Sequence, residues 1–159
     1  MFQTIPYEGT RHEQFESVLG QLRALIHDES NTIANLANAS ALLGHFLPDI
    51  NWSGFYLYDG TELVLGPFQG LPACIRIPLG RGVCGTAAAE QRTLVVDDVH
   101  AFPGHIACDA ASNSEIVIPL VKNGELIGVL DIDSPLKGRF DHEDRVFLEE
   151  FTAILVSSL

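Results

Sequence analysis

The sequence predicts an α+β domain in which an antiparallel sheet of about six strands carries helices packed mainly on one face. Three observations predict it. Apolar residues recur at helical spacing near both ends of the chain, alternating or β-branched runs fill the middle, and tight-turn dipeptides, Asp59-Gly60 and Asn123-Gly124, join pairs of those runs. At 159 residues, 47% hydrophobic and 19% charged, the chain is long enough for one core and short for two, so residues 1–159 are read as a single domain.

From Arg11 to His27 the residues Phe15, Val18, Leu19, Leu22, Leu25 and Ile26 lie on one helical stripe. A second stripe, Ile33, Leu36, Ala37, Leu43, Phe46 and Leu47 with the small Ser40, starts after a cap at Ser30 or Asn31 and ends before Pro48. NWSGFYLYDGTELVLGPF reads as two strands turning at Asp59-Gly60, and CIRIPL as a third strand. GRGVCGTAAAEQ carries glycines and then alanines, a loop feeding a short helix, and TLVVDDV is a fourth strand. Residues 99–113 show no period and are rich in Ala, Gly, Ser and Asn, which makes them a long loop of the kind that is usually functional or mobile. SEIVIPLV and ELIGVLDID are two further strands, and FDHEDRVFLEEFTAILVSSL is a terminal helix capped by Asp141.

The 21 acidic and 9 basic side chains give a formal net charge of −12. Repulsion from phosphate argues against nucleic acid and anionic membrane surfaces as partners and favours small cationic or zwitterionic ligands. No window approaches the roughly eighteen apolar residues needed to cross a bilayer, and the start lacks a basic stretch followed by an apolar one. A soluble, cytoplasmic protein is expected. Cys74, Cys84 and Cys108 are odd in number and spaced by ten and twenty-four, which suits neither a secreted disulfide framework nor a CxxC zinc site.

Asp131 and Asp133, two apart on the last strand, project to one face with Ile127 and Val129. A strict two-residue Asn-Gly loop sets Glu115 opposite Ile132, on the wrong face. A longer loop or a bulge sets it opposite Asp131 and gathers Ile116, Ile118, Leu120, Leu126, Leu130 and Ile132 on one apolar face, so that register is preferred. Three carboxylates on one face call for a proton, a cation or a donor among them. A solvated edge, a hard metal ion and the ammonium of a small ligand each satisfy that. Trp52 could supply the aromatic wall for an ammonium or simply sit in the core. Among the thiols, Cys84 stands at a helix start near Arg81, which favours a thiolate, whereas Cys108 has His105 three residues before it in the long loop. These features do not rank them. A zinc site from the cysteines with His100 or His105 has poor spacing, and no resident metal is expected.

Taken together, GRGVCGTAA, VVDDVHAFPGHIACD, NSEIVIPL and GVLDIDSP resemble the free methionine-(R)-sulfoxide reductases, which are built on a GAF domain. The resemblance runs from about the second helix to the carboxyl end. It implies a GAF-like fold and reduction of free rather than protein-bound methionine sulfoxide, with no bound cofactor and with thioredoxin as external reductant. By position it implies Cys108 as the attacking thiolate, Cys74 as the partner that closes a disulfide and Cys84 as a third thiol in the pocket. Glu115, Asp131 and Asp133 match the acidic substrate pocket, and Trp52 its aromatic wall. A homodimer is the expected assembly. A non-catalytic ligand-binding or redox-sensing module is the competing reading, and it needs the cysteines without the acids.

Overall fold

The computed structural model describes residues 3–159. Helix α1 (Arg11–Ile26) starts at a reciprocal Thr10/Glu13 capping box, and α2 (Thr32–Phe46) at Asn31, whose side chain accepts from the Ala34 N–H. Strands β1 (Trp52–Tyr58) and β2 (Glu62–Gly70) form the first hairpin, followed by β3 (Arg76–Pro78), α3 (Gly82–Glu90) and β4 (Leu94–Val96). Strands β5 (Ser114–Lys122) and β6 (Glu125–Ser134) form the second hairpin, and α4 (His142–Val156) closes the chain behind an Asp141/Asp144 capping box. The six strands make one antiparallel sheet in the order β3-β2-β1-β6-β5-β4. Among the described residues no helix is long and apolar enough to cross a membrane.

Two apolar clusters lie on opposite faces of the sheet. On one, α1, α2 and α4 bury Leu19, Leu22, Leu36, Leu43 and Phe151 against Phe55, Ile116, Ile118, Leu130 and Ile132, and Phe15 stacks on Phe147 at 4.2 Å. On the other, α3 and the connecting loops cover Trp52, Tyr56, Leu63, Val117 and Val129. The predicted layering therefore holds, with α3 as the one helix on the second face. Buried Ser40 of α2 and Ser53 of β1 exchange hydrogen bonds, each hydroxyl donating to the other's carbonyl at 2.9 and 3.1 Å. That exchange fixes α2 against the strand that carries Trp52.

Three strand-level expectations change. CIRIPL and TLVVDDV shrink to three residues each, because β3 pairs only with Glu62–Val64 and β4 only with Glu115–Val117. The long loop 99–113 holds a single 3-10 turn, Val99–Ala101, with Asp98 accepting from the His100 N–H. The register of the second hairpin is also different in detail. Its Asn123-Gly124 turn is the tight two-residue kind, with Lys122 opposite Glu125, and the extra residue enters as a bulge between Leu126 and Gly128. Glu115 consequently faces Asp133, and Val117 faces Asp131, so the acid meets its expected face but the other aspartate. The bulge also exchanges two neighbours. Ile127 packs with the helix-side cluster and Leu126 with the opposite one, the reverse of the expected assignment.

Candidate active site

On the sheet face opposite α1, α2 and α4, a narrow cavity partly open to solvent is walled by Trp52, Cys84, Cys108, Glu115, Asp131 and Asp133 among others. Each arrives there for a local reason. Alternation on β6 aims Asp131 and Asp133 at the cavity, the bulge brings Glu115 of β5 to the same side, and antiparallel pairing sets Trp52 of β1 opposite Asp133. Cys84 belongs to the first turn of α3. Gly85 in that turn has no room for a side chain, since a Cβ would stand 2.3 Å from the Pro78 carbonyl oxygen, so α3 sits tight against the end of β3.

Trp52 is both core residue and wall. It is buried, its indole N–H donates to the Leu71 carbonyl at 3.1 Å, and its ring stacks with Tyr56 and with Phe68 at centroid distances of 5.8 and 5.1 Å. Two glycines make the space. A Cβ at Gly54 would meet the Phe68 Cβ at 2.3 Å, and one at Gly70, where φ is +138°, would meet the indole at 2.5 Å.

Cys74 and Cys108 are joined in a disulfide with Cα atoms 5.4 Å apart, while Cys84 is a buried free thiol. Cys108 lines the cavity; Cys74 is not part of that wall, its carbonyl accepting from the Tyr56 hydroxyl at 3.0 Å. The loop bearing Cys108 is tied down by the next residue. Asp109 accepts from the Ala111 N–H at 2.8 Å and from the Asn51 amide at 2.9 Å, and the same amide donates to Ser112 at 3.1 Å. Tyr56, Asn51, Asp109 and Ser112 were not among the predicted site residues. Only an Asp followed by Ala-Ala-Ser, a turn-forming sequence, hints at one of these contacts.

The electrostatics follow from burial. Glu115 and Asp131 are 5% and 6% exposed, and Asp133 is half-buried. Loss of solvent pushes the Glu115 carboxyl well up, and the neighbouring Asp131 and Asp133 charges add to it. Asp133 rises for the same two reasons, burial first and Asp131 second. Burial lifts Asp131 to about 6, against contacts with Glu115 and Cys84 that act the other way. All three acids therefore hold their protons to higher pH than free carboxyls do. His105 reaches it as well, its Nε2 4.0 Å from Glu115 Oε2, and burial lowers the imidazole's pKa, helped by nearby His100.

The helix start and Arg81 do not activate Cys84 as its sequence position suggests. Arg81 is the N-cap of α3 and lines the cavity, but burial and the charges of Asp131, Glu115 and Asp133 drive the thiol well above its ordinary value. The Cys84 thiol instead donates to Glu115 Oε1 at 3.7 Å. Chemically, the cavity offers a disulfide sulfur at one wall, an indole at another, and a cluster of acids with raised affinity for protons.

The GAF domain family matches the chain over residues 13–159, which defines the class of protein. The protein YtsP of Bacillus subtilis is 56% identical over 161 residues, covering 100% of this chain and 99% of that relative. A free methionine-R-sulfoxide reductase of Escherichia coli is 60% identical over 132 residues, 83% of this chain and 80% of that one. The X-ray structure of the free methionine-R-sulfoxide reductase from Neisseria meningitidis in complex with its substrate superposes with a TM-score of 0.92 at 45% identity, covering 99% of this chain and 95% of that one. The chain therefore belongs to the GAF domain family, in the branch that contains the free methionine-R-sulfoxide reductases.

Proposed function

We propose that the protein reduces free L-methionine (R)-sulfoxide to L-methionine with its own thiols, as an oxidoreductase acting on sulfur. The observation that carries this reading is a Cys74–Cys108 disulfide with one sulfur in the wall of a cavity where Glu115, Asp131 and Asp133 converge. In the reduced protein the Cys108 thiolate attacks the sulfoxide sulfur while a protonated carboxyl of the cluster gives its proton to the sulfoxide oxygen. The oxygen passes to Cys108 as a sulfenic acid and methionine leaves. The Cys74 thiol then condenses with the sulfenic acid, forming the disulfide and releasing water. A dithiol, with thioredoxin as the donor, reduces the disulfide by exchange and is itself oxidised.

The remaining carboxylates hold the substrate ammonium, and Trp52 packs on the apolar end of its side chain. Selectivity for the free amino acid follows. A methionine sulfoxide inside a polypeptide has no ammonium, and it would leave buried carboxylates facing an amide. The test is NADPH oxidation coupled through thioredoxin reductase and thioredoxin. Turnover is expected with free methionine (R)-sulfoxide and not with its N-acetyl derivative. A fully reduced protein that turns over neither would leave a ligand-binding or redox-sensing module.

A further inference from the structure

One buried nucleophile has no part in that sequence of steps. Cys84 neither attacks nor resolves, yet its sulfur points at the two most buried carboxylates of the cavity. One ligand atom from each of Cys84, Glu115 and Asp131 lies within 4.8 Å of the other two. The Cys84 Sγ to Glu115 Oε1 separation is 3.7 Å. The edge of a tetrahedral zinc site, with Zn–S near 2.3 Å and Zn–O near 2.1 Å, is about 3.6 Å. One edge of such a site is thus already formed, and closing the others takes roughly an ångström, within reach of rotation about the terminal bonds of the acids.

A second observation points to an occupant. Asp131 Oδ1 is fully buried and has no hydrogen-bond partner, although its side chain lines the cavity. A carboxylate oxygen in that position is costly unless something positive or a donor meets it. We infer that Cys84, Glu115 and Asp131 form a site for a thiophilic divalent cation such as Zn²⁺, which displaces the substrate rather than serving as a resident cofactor. Sulfur among the donors selects zinc over magnesium or calcium, which take oxygen alone. The fourth coordination position faces the cavity and takes water. Competition arises because the ammonium and the cation need the same carboxylates. That competition rests on the proposed substrate reading; the metal site itself does not.

The experiment uses the oxidised protein, in which Cys84 is the free thiol. Co²⁺ titration is expected to give one thiolate-to-cobalt charge-transfer signal per chain, bleached by one equivalent of Zn²⁺. Cys84→Ser should abolish the signal. Asp131→Asn, which removes charge from a buried position without changing its shape, should weaken cobalt binding by more than about tenfold. No charge-transfer signal in the wild-type protein, or a signal unchanged in Asp131→Asn, would overturn the site. Free methionine sulfoxide should raise the cobalt concentration needed for half-saturation, and a signal indifferent to it would overturn the competition. The charge-transfer signal needs no turnover, so failure of the metal site and failure of the reductase reading are told apart.

Discussion

Cys74 and Cys108 share one bond but not one environment, and the difference supports the roles proposed for them. Cys108 lines the cavity that holds the acids, whereas Cys74 is not part of that wall, its carbonyl accepting from the Tyr56 hydroxyl, next to the exposed Ile75. Cys74→Ser is expected to release about one equivalent of methionine per chain and then stop as a trappable sulfenic acid, while Cys108→Ser releases none. Single-turnover amino-acid analysis with mass detection of the trapped adduct checks both; methionine release by Cys108→Ser would reverse the assignment. At this scale Asp131 and Asp133 were legible because a strand's period of two fixes which side chains share a face, whereas Trp52 was left open between wall and core until the resemblance favoured the wall. The cysteine pairing was not legible from the residues themselves. Two thiols 34 positions apart meet only through the packing of a loop onto the end of the sheet, and the resemblance alone suggested them. Asn51 was missed for the same reason, since its partners Asp109 and Ser112 lie 58 and 61 residues away.

At the scale of elements, the site depends on two departures from regular sheet. One is the β5–β6 bulge, without which Glu115 would turn into the helix-side core. A uniform apolar side on β5 and β6 is enough to place Glu115 on the correct face. The position of the inserted residue was not legible, because Leu126 and Ile127 are equally apolar and either can be the one that turns inward. The other departure lies between Gly54 and Tyr56, where β2 gains a residue around Gly66 and Pro67. Gly54 lets β1 approach Phe68 and the Trp52 ring, with only 2.3 Å and 2.9 Å for a Cβ. Gly54→Ala is expected to cost about 1–3 kcal/mol, read from the urea midpoint, and to raise KM for the free sulfoxide by tilting the indole wall. An unchanged midpoint and KM would show that the β1–β2 pair yields without disturbing Trp52. Helices α1, α2 and α4, by contrast, were legible from a stripe at the right period, whereas α3, whose N-cap Arg81 makes no side-chain capping bond, was legible only from its run of glycines and alanines.

For the whole molecule the acid cluster sets how stability varies with pH, and two groups of carboxylates act in opposite directions. Asp141 is lowered chiefly by its hydrogen bond from Arg11, Asp59 by backbone N–H donors of Glu62 and Thr61, and Asp98 by Lys137. Each contributes stability that is present above the ordinary carboxylate value and lost as pH falls through the lower folded value. Asp131 does the reverse. Between its ordinary 3.8 and about 6 the folded protein keeps a proton that the unfolded chain gives up, so stability falls across that window, by ~3 kcal/mol for this group. Glu115 and Asp133 are raised too and extend the loss toward neutral pH, while His105, lowered by burial, opposes them as a single group. A formal charge of −12 at pH 7 works in the same direction as the raised acids. Thermal stability is therefore expected to peak between about pH 4 and 5 and to decline toward pH 7. Asp131→Asn should raise Tm at pH 7 and flatten the decline, at the expense of turnover. On the proposed reading free methionine brings an ammonium to the same carboxylates, so the Tm increase it produces should grow as pH rises from 5 to 7. Calorimetry across this range, with and without methionine, checks both trends. An unliganded Tm that climbs from pH 5 to 7 would mean that the buried acids do not govern the stability of the fold.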